Sequence, residues 1–180
     1  MATFIRFALS NFALTFLILG LIVACLSLVF SSAPKTSSRV REKIFAYFLL
    51  FPIGLSFLYN FVMHVFFADM SARFIGWQNS PFQAEVGFAS LGFAVVGFLA
   101  VRGCHGLRIG AVVGPALFLL GAAAGHIRQM VVAHNFAPGN AGVIFYMDIV
   151  IPIVGLGLLW MEGRSETHGC TPASALDRQR

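Results

Sequence analysis

The sequence predicts an all-α integral membrane protein, a helical bundle of about five transmembrane helices. Three observations carry that prediction. Only 11% of the residues are charged, against about 25% in soluble domains. Mean hydropathy is +0.85. Apolar runs long enough to cross a bilayer, which takes roughly 20 residues, alternate with short polar segments. The 20 Phe residues suit lipid-facing surfaces better than a compact aqueous core. The lipid bilayer is therefore the expected partner. The net charge of +5 lies in short segments between the runs, where basic residues set topology. No nucleic-acid partner is expected.

The first span is expected over residues 7–30. Its apolar run exceeds the about 7–15 residues of a signal peptide, and its charged start is only Arg6. Ile22-Val23-Ala24-Cys25 has the look of a lipoprotein cleavage box, but apolar residues continue to Phe30. A retained span is expected. A basic loop follows, with Lys35, Arg39, Arg41 and Lys43 against Glu42. The second span is expected over 44–67 with Pro52 inside it, and the third over 80–101. Ser80 is a good N-cap and Pro81 suits the first helical position. The short basic link from Arg102 to Arg108 leads to the fourth span, 109–127, which contains Pro115. The fifth span is expected over 141–161 with Pro152 inside it. Residues 1–161 thus form the transmembrane domain, and 162–180 a polar, disordered tail.

Alternate loops differ in basic charge, and the positive-inside rule puts the N-terminus outside and the C-terminus in the cytoplasm. The expected location is a multi-pass arrangement in the inner membrane. Trp77 and Trp160 suit interfacial positions. Gly110, Gly114, Gly121 and Gly125 are spaced for close helix approach on span four, and a homo-oligomer or a membrane-complex partner is compatible with such spacing. Cys25, Cys104 and Cys170 form no CxxC, so no disulfide or metal–thiolate framework and no thiol-redox centre is expected.

Hairpins two-three and four-five share a spacing: Pro52, His64 and Glu85 recur as Pro115, His126 and Asp148. A duplication of this kind would be a weak parallel repeat, related by an axis along the membrane normal. Both histidines and both acids fall toward the outer half of the membrane. The candidate site is therefore Asn60, His64, Gln83, Glu85, His126, Gln129 and Asp148. Asn60 and His64 are four apart and share a helix face; His126 and Gln129 do so at three apart. Ionisable groups within spans face the bundle interior and find partners.

Three readings of this constellation stand side by side. It pins the bundle as a structural or accessory subunit. It binds a divalent transition metal through His64, Glu85, His126 and Asp148, as the cofactor of a membrane enzyme, although no HExxH motif is present. Or it relays a proton, an ion or a small solute.

Gly76-Trp77-x-Asn79-Ser80-Pro81-Phe82-Gln83-x-Glu85-Val86-Gly87, followed by Gly125-His126-x-x-Gln129 and Pro138-Gly139-Asn140-x-Gly142, resembles a small prokaryotic membrane-protein family of unknown function. The resemblance covers spans two to five and implies a location for the site without naming a chemistry. A looser similarity to DoxX-like four-helix membrane proteins implies a redox accessory role.

Overall fold

The computed structural model describes residues 1–163. Helices α1 (Ala2–Ser10), α2 (Phe12–Val29) and α3 (Ser37–Phe48) are followed by a π-helical segment, Leu49–Leu55. Then come α4 (Ser56–Phe66), α5 (Ala68–Ile75), α6 (Phe82–Ala100), α7 (His105–Ala133), α8 (Pro138–Ala141) and α9 (Val143–Gly163). There is no strand among the described residues. Five helical stretches are long and apolar enough to cross a membrane: Phe12–Val29, Ser37–Phe66, Phe82–Ala100, His105–Ala133 and Pro138–Gly163. The protein is an all-α bundle with the architecture expected of a multi-pass membrane protein.

Each span is continuous where backbone hydrogen bonds close within the helix, as a lipid-facing backbone requires. The departures have local causes. The first apolar run is not one helix. It breaks at Asn11, whose φ is −115° and ψ 43°. The Asn11 side chain donates to the Phe7 carbonyl at 2.9 Å, the kind of local bond by which Asn competes with helix propagation. Pro52 removes one backbone donor from the second span, and the chain there widens into the π turn. Ser80 gives no side-chain cap to α6; instead the Ser80 carbonyl accepts from Gln83 N at 3.0 Å, and the helix begins at Phe82. The second span starts seven residues earlier than 44, at Ser37, capped by the Thr36 hydroxyl. Glu162 belongs to α9 and not to a tail. The remainder of the expected tail, 164–180, lies outside the described residues.

α4 packs along α6, and α7 along α9. Phe45, Phe48, Leu49, Ile53, Phe57, Ala94, Val112 and Ile151 form the shared core. Pro52, Pro115 and Pro152 are all fully buried. Close helix approach is not where the glycine spacing of span four placed it. Around Gly110, Gly121 and Gly125 there is open space, and Gly114 meets only the Phe93 ring. One such approach lies between α6 and the π segment. A Cβ on Gly97 would sit 2.8 Å from Ile53 Cγ2 and 3.0 Å from the Gly54 backbone nitrogen.

These neighbours include backbone, which cannot step aside. Gly97→Ala is expected to lower stability by about 1–3 kcal/mol, the usual range for overpacking. Gly110→Ala, in open space on a helix, is expected to be neutral or to stabilise by up to about 1 kcal/mol. Thermal unfolding of both variants in the same detergent checks the opposite signs.

Candidate functional site

Successive spans alternate direction, so the ends of α4 and α7 and the starts of α6 and α9 gather at one end of the bundle. There the loop after α5 turns through Gly76, whose φ of 78° suits a residue without a side chain. Asn135 fastens that loop. Its amide donates to the Ile75 carbonyl at 2.9 Å, and its Oδ1 accepts from Ala137 N at 3.0 Å. The turn presents Trp77, whose ring lies 5.7 Å from that of His126, tilted by 38°.

Asn140 on the single turn of α8 is fully buried, and His126 nearly so. The Asn140 amide donates to the Asn135 carbonyl at 2.8 Å and to the His126 carbonyl at 3.3 Å. Its Oδ1 is thereby the atom turned toward His126 Nδ1, 2.8 Å away. Nδ1 must carry the hydrogen of that bond. The other ring nitrogen, Nε2, faces Asp148 Oδ2 at 3.4 Å. A lone pair opposite a carboxylate would repel it, so one proton lies between the two. The pair is either imidazolium with carboxylate or imidazole with carboxylic acid. Both forms are neutral overall, which suits a buried site.

A second pair lies on the other hairpin. His64 Nδ1 and Gln83 Oε1 are 2.5 Å apart. An amide oxygen only accepts, so Nδ1 donates and the His64 Nε2 lone pair is left open. One turn deeper, the Asn60 amide donates to Ser90 Oγ at 2.9 Å, and Ser90 Oγ donates to the Val86 carbonyl at 2.8 Å.

These pairs share one cavity of about 1190 Å³. Asn60, His64, Gln83, His126 and Asp148 line it, together with Arg6, Ser56, Trp77 and a wall of Phe, Leu and Ile. Glu85 does not. It is exposed, two residues from Gln83 and so about 200° around the helix, outside the cavity lining. Gln129 is half-buried and also outside the lining. Among the described residues no three His, Cys, Asp or Glu side chains gather closely enough to hold a metal ion. The four-ligand set His64, Glu85, His126 and Asp148 does not assemble. The spacing match between hairpins also shifts: Gln83, not Glu85, meets the first histidine.

Four contributors carried no signal as site residues. Asn140 stands only in the Pro-Gly-Asn stretch, and Trp77 only in the Gly76-Trp77 motif and as an interfacial aromatic. Asn135 and Ser90 carried none. A further cluster lies at the opposite end. Arg108, nearly fully buried, makes a fork with Glu42 at 2.6 and 2.7 Å and also bonds Glu162. His105 Nδ1 meets the other Glu162 oxygen at 2.8 Å. The Arg108 guanidinium also stacks 5.2 Å from the Phe45 ring centre. This cluster ties α3, α7 and α9 together. In the sequence Arg108 and Glu42 stand only as loop charges; two acids and an Arg at the same end of three spans is the available signal. Cys104, just before α7, is disulfide-bonded, against the expectation of no disulfide.

Removing the Asn140 side chain strands buried partners on α7 and in the 135–137 turn. Asn140→Ala is expected to cost about 1–3 kcal/mol, read as a lowered unfolding temperature. Asn79→Ala loses only an exposed bond to Asp69 and is expected to change stability by less than about 0.5 kcal/mol.

No curated protein and no solved structure matches the chain. A family model, however, spans residues 10–168, covering all of the cavity lining except Ile5, Arg6 and Leu9. The chain belongs to DUF6790, a family of unknown function.

Proposed function

We propose that this is a multi-pass inner-membrane protein that takes a small solute into its polar-ended cavity and exchanges one proton at His126–Asp148. The observation that carries the reading is the convergence of His64, Gln83, His126 and Asp148, from four helices, on the lining of one cavity. Ionisable side chains inside a membrane domain usually mark substrate or proton pathways when they line a cavity. The proton between Nε2 and Oδ2 supplies the exchangeable group, since its loss leaves the pair with a single negative charge and its return restores neutrality.

In this reading the cavity opens outward. Lys35, Arg39, Arg41, Lys43, Arg102 and Arg108 lie at the far end of the bundle, against Arg6, Arg73 and Arg128 at the cavity end. The positive-inside rule then keeps the far end in the cytoplasm.

A second reading has its own support. Both His126 nitrogens are engaged and Asn140 is saturated, as they would be if the network only pinned the bundle. Nitrogen-15 NMR of histidine-labelled protein in lipid nanodiscs separates the two. Solute and proton handling requires His126 to titrate with bulk pH between about 5 and 8, and Asp148→Asn to displace that titration. A His126 signal unchanged across the range, with Asp148→Asn altering only stability, would establish the pin instead.

A further inference from the structure

We infer that the cavity's ligand is a single-chain amphiphile with a carboxylic acid head, its head held by His64 and Gln83 and its chain running inward. The inference rests on the reading of the cavity as a solute site and names the class of solute.

The polar groups of the cavity are concentrated at its mouth, with Asn60 and Ser56 one and two turns deeper on α4. Those of the mouth, His64, Trp77, Gln83, His126 and Asp148, lie at one end. The walls run inward through Leu117, Phe118 and Ile151 to Phe57. From His64 to Ser56 along α4 is eight residues, about 12 Å of helix. The volume, about 1190 Å³, exceeds the upper end of ordinary small-ligand pockets, roughly 1,000 Å³. A small hydrophilic solute would leave most of this apolar wall facing nothing. An alkyl chain would cover it.

The head group follows from the open hydrogen-bonding atoms. His64 Nε2 is an acceptor, because Nδ1 donates to Gln83. The Gln83 amide nitrogen is a donor with no protein partner among the described residues. One acceptor beside one donor matches the O–H and C=O of a carboxylic acid. A hydroxyl must serve both with a single oxygen, and an alkane serves neither. Arg6, exposed where α1 lines the mouth, adds attraction for an acid arriving from water. His126–Asp148 stays neutral with its proton and does not repel it.

The test uses full-length protein with Trp160→Phe in phosphatidylcholine nanodiscs, leaving Trp77 as the reporter, since the chain has only 2 Trp. Dodecanoic acid brominated beside its head group is titrated in. The inference expects saturable quenching of Trp77, reversed by plain dodecanoic acid. Dodecanol should reverse it at least tenfold less effectively, and dodecane not at all. His64→Ala, and separately Ala122→Phe to fill the cavity, should each weaken the acid at least tenfold; unfolding temperatures confirm that the variants fold. Quenching that rises without saturation, equal reversal by dodecane, or two folded variants with unchanged affinity would overturn it. If the acid fails in this way while His126 still titrates and acetate or imidazole perturbs it, the cavity reading survives and only the amphiphile is lost. If His126 does not titrate either, both fall.

Discussion

The cavity end of the bundle depends on one saturated amide. Asn140 bonds the carbonyls of His126 and Asn135 and accepts from the His126 ring. In a low-dielectric interior an unpaired polar atom is expensive, so these bonds have few alternatives. They hold the single turn of α8 against the end of α7. The direction in which α9 enters the membrane follows, and with it the meeting of Asp148 and His126. Trp77 closes over the ring because Asn135, in the same network, fastens the turn at Gly76.

The opposite end is held by a different principle. Arg108 is nearly buried, yet it has two carboxylates, two backbone carbonyls and an aromatic face around it. A bidentate guanidinium is well suited to such a site, because its planar fork satisfies several acceptors at once. The two ends therefore differ in chemistry. One is an ionic knot whose charges pair with one another. The other leaves acceptor and donor atoms open onto a space lined with aromatic and aliphatic side chains.

Much of this was legible in the sequence. Hydropathy gives five spans because each must satisfy its own backbone in lipid. Alternation of direction then places His64, His126 and Asp148 at the same end. What hydropathy cannot give is rotation about each helix axis. Lipid tails are as apolar as a protein core, so α6 is apolar all round and shows no preferred face. Gln83 and Glu85 were therefore indistinguishable, although one points into the cavity lining and the other outward. The glycines of span four were misleading for the same reason: small residues fit both a helix contact and an open surface. Asn140 was hidden because its role depends on a one-turn helix and a break at Gly142, which no span-length pattern records.

The central claim is that side chains from separate spans border one water-reachable space on the outer side. It is tested most directly by thiol labelling at Asn60, one turn below His64. In protein with Cys25, Cys104 and Cys170 replaced by Ser, Asn60→Cys is exposed to a charged, membrane-impermeant thiol reagent added outside sealed cells. The account predicts modification there, and none at Val95→Cys, which is exposed on the apolar surface of α6. An unreactive thiol at position 60 in a folded protein would contradict it.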